Sequence, residues 1–303
     1  MTMTILRRTA PLTGAYRPEG DKSLSHRALL FAALAEGESV IRRFLVGGVT
    51  QAMLRCLRAL GVEWSLDEAT HTLRVRGVGL HGFRAPTAPL DCGNSATTFR
   101  LLAGALAGAG VPCVLDGSEG LRKRPMGRIV EPLRLMGADV GATEGHAPLA
   151  FRPAPLNAIS YALPVASAQV KSCLILAALS ADGPCAFTEP GPSRDHTERM
   201  LAAMGAQVKP LGGGAHGAVA FPQRTPLAPL DTELAGDISS AAFLMVAATI
   251  VPGSDFRLEK VGVNPTRTGI LDTLRAMGAD IEATAPAEMA GEPVADLRVR
   301  AAP

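Results

Sequence analysis

The stretch "LDTLRAMGADI" (residues 271–281) combines apolar residues at helical spacing with a glycine, a small residue and then a β-branched residue. Three earlier stretches repeat this order, namely "LRCLRALGVEW" (54–64), "EPLRLMGADV" (131–140) and "ERMLAAMGAQV" (198–208). Glycine often ends a helix, because it adopts the left-handed conformation that such an end requires. Each stretch therefore predicts a helix, a glycine C-cap and the start of a strand.

The shared glycines show that these stretches belong to a fourfold repeat, since Gly61, Gly137, Gly205 and Gly278 are 76, 68 and 73 residues apart. Upstream of each lies an alanine- and leucine-rich segment, and the four read "SHRALLFAALAEG", "ATTFRLLAGALAG", "AQVKSCLILAALSADG" and "SSAAFLMVAATIVPG". They are apolar on all sides, which predicts deeply buried helices. Short β-rich segments such as "HTLRVRG" lie between the helices. The sequence thus predicts an α/β fold of repeated units that share a core.

Each apolar helix is preceded by a polar approach rich in small residues. The four approaches are "GDKSLSHR" from Gly20, "CGNSATTFR" from Cys92, "PVASAQVKS" from Pro164 and "GDISSAAF" from Gly236. Small residues let backbone N–H groups come close to a ligand, and the helix dipole adds partial positive charge there. Arg27, Arg100 and Lys171 add a cation one turn into the first three helices. N-capping explains any one approach, but their recurrence favours a shared site for a multiply charged anion.

Two further basic segments precede helices. In "GLRKRPMGR" (120–128), Pro125 predicts a helix start and places Arg124 at its mouth, where a guanidinium can bind phosphate or carboxylate with two hydrogen bonds. A solvated charge run is the alternative. In "SRDHTERML" (193–201), Ser193, Arg194 and His196 again precede a helix, although a lone histidine there is more often a cap or a solvent-exposed residue.

The composition argues against several classes of function. A net charge of +2, one tryptophan and two tyrosines disfavour a nucleic-acid partner. The six histidines lack metal-ligand spacing, and "GVGLHG" is followed by prolines where a dinucleotide-binding fold needs a helix. Five cysteines without a C-x-x-C pair predict buried thiols in a reducing compartment. Without a signal peptide or a membrane-length apolar segment, we expect a cytoplasmic protein with no membrane partner.

Seven segments, taken together and in order, closely resemble the 5-enolpyruvylshikimate-3-phosphate (EPSP) synthase family. They are "GDKSLSHRALLFAALAEG", "LDCGNSATTFRLLAGALAG", "LRKRPMGRIVEPLRLMGA", "PVASAQVKSCLILAALSADG", "SRDHTERMLAAMGA", "GDISSAAF" and "NPTRTGILDTLRAMGA". The resemblance implies two lobes of three βαβαββ units each, with the substrates between them. It implies transfer of the enolpyruvyl group of phosphoenolpyruvate to the 5-hydroxyl of shikimate 3-phosphate in aromatic amino-acid (chorismate) biosynthesis. The resemblance also implies that the reaction uses no metal and no organic cofactor.

The resemblance also implies the substrate contacts. Lys22 is the expected catalytic residue and contacts both substrates. The residues expected to contact shikimate 3-phosphate are Lys22, Ser23, Arg27, Ser167, Ala168, Gln169, Ser193 and Arg194. Those expected to contact phosphoenolpyruvate are Lys22, Asn94, the backbone of Ala96, Arg124 and Gln169. Both substrates are anions, so cations and N–H donors would bring them together and stabilise charge in the addition intermediate.

Two departures from the family pattern lead to further expectations. The family has six units and this sequence shows four, so we expect residues 15–229 to form a complete lobe, and residues 1–14 with 230–303 to form a partial second lobe. The acid–base segments that the family carries later do not occur, which predicts an N-terminal fragment of an enzyme that is monomeric when complete. Ala96 stands where the family commonly has glycine, and its methyl group predicts tolerance to glyphosate, which is bulkier than phosphoenolpyruvate.

Three alternatives stay open. The related UDP-N-acetylglucosamine enolpyruvyl transferases usually carry a cysteine in the loop where "GLRKRPMGR" has none. A non-catalytic anion-binding lobe is the second alternative, since the sequence shows fewer units than the family. Recognition of RNA phosphate ends by a similar repeat fold is the third, and it would need more basic surface than the near-neutral charge provides.

Overall fold

The computed structural model describes residues 10–302, which divide into two compact units. The larger unit is Lys22–Glu233, and the smaller unit is the described part of Met1–Asp21 together with Leu234–Pro303. The predicted boundaries at residues 15 and 229 lie close to the ends of the larger unit and remain predictions.

The helices and strands follow the chain in four successive groups. The first group is β1 (Thr13–Tyr16), α1 (Lys22–Leu34), β2 (Glu36–Arg42), α2 (Gly48–Ala59), β3 (Glu63–Asp67) and β4 (Thr72–Val78). The second is β5 (Leu90–Asp91), α3 (Ala96–Ala109), β6 (Cys113–Asp116), α4 (Glu119–Arg122), α5 (Gly127–Leu135), β7 (Asp139–Thr143) and β8 (His146–Arg152). The third is β9 (Ser160–Ala162), α6 (Ala168–Ala178), β10 (Cys185–Glu189), α7 (His196–Ala203), β11 (Val208–Pro210) and β12 (His216–Ala220). The fourth is β13 (Asp231–Glu233), α8 (Ile238–Ile250), β14 (Asp255–Gly262), α9 (Gly269–Ala276), β15 (Asp280–Met289) and β16 (Glu292–Arg300).

Within residues 10–302, the strands form four sheets of four strands with one common topology. The sheet orders are β13-β2-β4-β3, β5-β6-β8-β7, β9-β10-β12-β11 and β1-β14-β16-β15. In each sheet a short edge strand runs parallel to its neighbour, and the other strand pairs are antiparallel. A parallel pair needs a crossover connection, which a helix provides. This topology confirms the repeated βαβαββ unit.

The first and fourth groups exchange their first strands. Strand β1 precedes α1 in the sequence but pairs with β14, with Thr13 opposite Asp255. Strand β13 precedes α8 but pairs with β2, with Asp231 opposite Val40. The sheet that contains β2 is therefore completed by a strand from the far end of the larger unit.

The four repeat glycines end helices as predicted. Gly61, Gly137, Gly205 and Gly278 have φ values of +88°, +95°, +90° and +94°, and each follows the capping residue of its helix. In the first repeat, the N–H of Gly61 donates to the Arg58 carbonyl and the N–H of Val62 to the Leu57 carbonyl, both at 3.0 Å. This pair of bonds is the Schellman motif, which satisfies the last carbonyls of a helix.

In the larger unit, the apolar helices α1, α3 and α6 form the core, as their composition predicts. Phe31, Phe99 and Leu174 are fully buried. Helices α3 and α6 approach each other closely at Gly104, where an added Cβ would lie 2.0 Å from the Cys173 carbonyl oxygen. Glycine at this position lets the two backbones touch, which sets the spacing of the two helix starts.

Helix α8 of the smaller unit differs from the prediction of deep burial. Ala241, Met245 and Ala248 pack against β14 and β16, whereas Phe243 is 80% exposed and Ile250 is 71% exposed. Within the described part of this unit, no second helix of the same apolar kind covers the other side. The apolar composition of α8 is that of a helix covered on several sides, and here only one side is covered.

Candidate functional site

All the predicted site residues lie in the larger unit, at or near the starts of helices. Lys22, Ser23 and Arg27 lie in α1, Asn94 and Ala96 lie at the start of α3, and Arg124 lies between α4 and α5. The others, at the start of α6 and in the loop before α7, are Ser167, Ala168, Gln169, Ser193 and Arg194. Ala96 and Ala168 are first residues of their helices, so their N–H groups have no acceptor within the helix.

His26 joins the start of α1 to the start of α3. Its Nδ1 atom lies 2.8 Å from the Lys22 carbonyl oxygen, which can only accept, so Nδ1 carries the proton. Its Nε2 atom lies 3.4 Å from the Ser95 hydroxyl, the group that caps α3 by accepting from the Thr98 N–H at 3.2 Å. His26 was not among the predicted site residues, because a buried histidine inside an apolar helix has no local signature of such a contact.

Gln169 and Arg100 join the start of α3 to the start of α6. The Gln169 Nε2 donates to the Thr97 hydroxyl at 2.8 Å, and its carbonyl oxygen accepts a short hydrogen bond from Arg100. Arg100 also reaches the Pro125 carbonyl oxygen at 3.5 Å. The first turns of α3 and α6 and the segment before α5 therefore meet at one place.

Arg27 joins α1 to α6 and α7 and is almost completely buried. Its Nε atom donates to the Thr197 hydroxyl at 2.8 Å, and its two terminal nitrogens donate to the Ser172 hydroxyl at 2.9 Å and the Ser23 carbonyl at 3.1 Å. These bonds fix the first turn of α1 against the two other helices. They also hold the positive charge of Arg27 beneath Ser23.

The basic segment "LRKR" separates into two ion-paired residues and one that faces the site. Arg122 binds Asp116 through Nε at 2.9 Å, and Lys123 binds Glu119 at 2.6 Å. Arg124 instead donates to the Asn94 side-chain oxygen at 3.4 Å. Helix α5 begins at Gly127 rather than at the predicted Pro125, so Arg124 lies in the loop before the helix.

Three guanidinium groups lie near one another: Arg100 binds Gln169, Arg124 binds Asn94, and Arg128 lies close enough to Arg100 to affect its charge. Burial lowers the pKa of Arg100. The positive charges of Arg128 and Arg124 lower this pKa further, because they repel the charge on Arg100. Within residues 10–302, no carboxylate lies within ion-pair distance of Arg100, Arg124 or Arg128. Arg128 is a residue that the sequence analysis missed, although it follows Arg124 by four positions. Such a cluster attracts an anion.

Lys171 was expected to add positive charge to the anion site, but in the structure its charge is not available to a ligand. Its ammonium group lies 2.7 Å from Glu189 and 2.8 Å from Glu198, and all three side chains are at least 91% buried. Burial alone would lower the pKa of Lys171, but the two carboxylates outweigh it and raise the pKa. The prediction of an open positive charge at Lys171 is therefore wrong.

Acid should destabilise the larger unit through His26. Burial lowers the pKa of His26 to about 4 from its ordinary 6.5, although its hydrogen bond to the Lys22 carbonyl opposes the shift. The unfolded chain takes up this proton near pH 6.5, so the contribution of His26 to stability is complete above that pH and lost as the pH falls to 4. The loss amounts to about 3 kcal/mol.

The His26→Gln variant should lack this part of the acid sensitivity. Trp64, the single tryptophan, lies in β3, so its fluorescence reports unfolding of the larger unit. Urea unfolding at intervals from pH 7.5 to 4 should show a shallower loss of unfolding free energy in the variant than in the parent. Equal pH dependence of the two proteins would contradict the role assigned to His26.

The described residues contain free cysteines but neither a metal-binding cluster nor a membrane-spanning helix. All five cysteines are buried and unpaired with one another in disulfides, as predicted. Among residues 10–302 no cluster of histidine, cysteine and carboxylate side chains could hold a metal ion. In the same residues, every helix is too short or too polar to cross a bilayer.

Comparison with known proteins identifies the family. The family model for EPSP synthase (3-phosphoshikimate 1-carboxyvinyltransferase) matches residues 6–303. The chain belongs to the EPSP synthase family. Members of this family are transferases of the shikimate pathway, and the predicted family, fold class and enzyme class are thereby confirmed. The UDP-N-acetylglucosamine enolpyruvyl transferases are not favoured.

The similar proteins are EPSP synthases, and they match almost the whole of this chain. The 3-phosphoshikimate 1-carboxyvinyltransferase of Acidithiobacillus ferrooxidans (strain ATCC 53993 / BNL-5-31) is 51% identical over all of this chain and 69% of its own length. That of Gloeobacter violaceus is 54% identical over 96% of this chain and 67% of its own length. The structure of EPSP synthase from Acinetobacter baumannii has a TM-score of 0.92 and 42% identity, covering 98% of this chain and 66% of that one. The chain thus spans about two thirds of the length of these relatives.

Proposed function

We propose that this chain binds shikimate 3-phosphate and phosphoenolpyruvate, and that it serves the cytoplasmic transfer of the enolpyruvyl group to the 5-hydroxyl of shikimate 3-phosphate. The relatives named 3-phosphoshikimate 1-carboxyvinyltransferase support this proposal. One structural observation carries it. The starts of α1, α3 and α6 are joined by His26, Gln169 and Arg27, beside arginines that no carboxylate of the described residues neutralises.

In this proposal, shikimate 3-phosphate lies over the starts of α1 and α6 and the loop before α7. The residues that contact it are Lys22, Ser23, Arg27, Ser167, Ala168, Gln169, Ser193 and Arg194. Lys22 and Arg194 are exposed, so they can reach a ligand from solvent. Arg27 is buried, and one of its terminal nitrogens lies 3.1 Å from the Ser23 carbonyl oxygen, next to the proposed ligand position. Hydroxyl and N–H donors at helix starts suit a phosphate dianion, because its oxygens accept several hydrogen bonds at once.

Phosphoenolpyruvate occupies the region of the guanidinium cluster in this proposal. Arg124, Asn94, Gln169 and the N–H of Ala96 bind its phosphate and carboxylate groups, and Arg100 and Arg128 strengthen the positive field. Lys22 contacts both substrates and acts as the catalytic residue, since a cation between two anions stabilises the charge that develops when they combine. No metal or organic cofactor is required.

Replacing Lys22 with methionine should weaken binding of shikimate 3-phosphate by about tenfold or more, because a charge-assisted hydrogen bond to the phosphate is lost. Titration calorimetry on the 303-residue chain measures the affinity. The matched control is Lys123→Met, because Lys123 is also an exposed lysine but is not among the predicted substrate contacts. Its affinity should stay within about twofold of the parent. A parent chain that does not bind shikimate 3-phosphate at all would refute the proposal.

The methyl group of Ala96 should disfavour glyphosate. Ala96 is buried at the first position of α3, so its side chain has little room to move aside. Ala96→Gly should bind glyphosate about tenfold more tightly in the presence of shikimate 3-phosphate, which is the effect of one methyl group in a close-fitting pocket. Calorimetric titration of parent and variant compares the two. Equal affinities would show that the methyl group does not reach the ligand.

A further inference from the structure

A buried charge network lies directly behind the serines at the start of α6 and in the loop before α7. Lys171 of α6 binds Glu189 at the end of β10 and Glu198 of α7, at 2.7 and 2.8 Å. The side chain of Glu189 is fully buried and that of Lys171 is 4% exposed. Charged groups are rarely placed so deep unless each has a partner. The network is therefore built into the packing of these three elements.

Glu189 is the member of this network that contacts predicted ligand residues. Its Oε1 accepts from the backbone N–H of Ser167 at 2.8 Å. Its Oε2 accepts from the hydroxyl of Ser193 at 2.8 Å. Ser167 caps α6, and Ser193 lies in the loop that leads to α7. One carboxylate thus holds two separate segments of the chain at a set distance from each other.

We propose that Glu189 is a positioning residue for the phosphate of shikimate 3-phosphate, and that Lys171 makes this role possible. The inference rests on the proposed function, since Ser167 and Ser193 are the phosphate contacts. Glu189 itself does not touch the ligand. It fixes the Ser167 backbone and the position of the Ser193 oxygen, so that both serines are in place before the phosphate arrives and only the Ser193 hydroxyl proton has to turn.

A carboxylate behind a phosphate site would repel the phosphate and would need hydrogen-bond donors, and Lys171 meets both conditions. It neutralises Glu189, so the phosphate does not face an unpaired negative charge. It also gives the Glu189 Oε2 a second hydrogen-bond donor, at 2.7 Å. Ser193 has one hydroxyl proton, which it donates to Glu189 in this structure. When the hydroxyl turns to donate to phosphate, the ammonium of Lys171 keeps the Oε2 atom satisfied.

Glu198 provides a matched comparison inside the same network. It binds Lys171 at almost the same distance as Glu189, and its side chain is 9% exposed. Among the described residues, no hydrogen bond joins Glu198 to Ser167 or Ser193, and its Oε2 atom is buried without a hydrogen-bond partner. A variant of Glu198 therefore disturbs the charge balance around Lys171 but leaves both serines held.

The test compares Glu189→Gln with Glu198→Gln in the 303-residue chain. In Glu189→Gln, the new NH2 group would face either Lys171 or the Ser167 N–H, and both of these can only donate. One of the contacts that hold the two serines in place is therefore lost. Calorimetry should show shikimate 3-phosphate affinity reduced about tenfold to a hundredfold in Glu189→Gln. Affinity for shikimate, which lacks the phosphate, should stay within about twofold. Both ligands should bind Glu198→Gln within about twofold of the parent.

Several results would overturn this inference. Unchanged shikimate 3-phosphate affinity in Glu189→Gln, beside normal binding by the parent, would exclude a positioning role while leaving the proposed function intact. Equal losses for shikimate 3-phosphate and shikimate would mean that Glu189 only maintains the fold. If the parent binds neither ligand, the proposed function fails and this inference fails with it.

A second variant covers the case in which Glu189→Gln does not fold, as judged by Trp64 fluorescence. Glu189→Asp keeps the charge that Lys171 needs, but it is one methylene shorter and cannot reach both serines. We expect the same selective loss of shikimate 3-phosphate affinity. An aspartate variant with the parent's affinity would overturn the proposal.

Discussion

Replacing Lys171 with methionine should lower the free energy of unfolding of the larger unit by about 3–5 kcal/mol, because the change leaves buried carboxylates without their cation. Glu189 and Glu198 would both face a methionine side chain, and their side chains are 0% and 9% exposed. Urea unfolding followed by Trp64 fluorescence measures the loss. Methionine has a similar length to lysine, so the effect reports charge rather than a cavity.

The pH dependence and a surface control separate this cause from others. Carboxylates without a partner have raised pKa values when buried, so they take up protons as the pH falls. The stability difference between Lys171→Met and the parent should therefore narrow from pH 8 to pH 5. Lys123→Met also removes a lysine from an ion pair, but its side chain is 73% exposed, and its effect should be below about 1 kcal/mol. A deficit that does not change with pH would point to packing.

Gly104→Ala should destabilise the larger unit by about 3 kcal/mol, at the upper end of the cost of overpacking a core. The new Cβ would lie 2.0 Å from the Cys173 carbonyl oxygen and 2.9 Å from the Cys173 Cα, so no side-chain rotation can relieve the clash. Helices α3 and α6 must move apart. Since Gln169 of α6 donates to Thr97 of α3 at the starts of the same two helices, we also expect weaker shikimate 3-phosphate binding.

Gly108→Ala is the matched control, because Gly108 lies one turn further along α3. Its added Cβ would be 3.2 Å from the Ser180 hydroxyl, which can rotate away, and 3.4 Å from the nearest backbone atom. Alanine favours helix over glycine by about 1 kcal/mol, so this variant should be neutral or slightly stabilised. Thermal unfolding monitored through Trp64 compares the two. Equal melting temperatures would contradict the tight contact at Gly104.

Much of the fold was predictable because its signals are local. A glycine after an amphipathic helix, as at Gly61, predicts the C-cap that the structure has, since the left-handed conformation costs other residues more. The repeat of such signals predicted the α/β units. The exchange of β1 and β13 was not predictable, because Thr13 pairs with Asp255 and Asp231 with Val40, and no local pattern encodes those partners.

For the candidate site, the sequence predicted that the polar segments lie at helix starts, but not which charged side chains around them are paired. The polar approaches do stand at the starts of α1, α3 and α6, where the sequence placed them. Whether a basic side chain at a helix start can bind a ligand depends on which carboxylates pair with it. Those carboxylates lie far away in the sequence or in other helices and strands. Lys171 is neutralised by Glu189 and Glu198. Arg124 instead donates to the Asn94 side-chain oxygen, and no carboxylate of residues 10–302 pairs with it.

The amino-acid sequence by itself determined the family, the repeated unit and the helix ends of this protein, because each depends on residues that are close together in the chain. The tertiary structure decided which helix starts lie together and which basic side chains are paired with carboxylates. His26 and Ser95 lie 69 positions apart, and Arg27 and Thr197 lie 170 apart, yet each pair is hydrogen-bonded. The physical reason is that the field at a site depends on every charge within a few ångströms, and only folding brings those charges together.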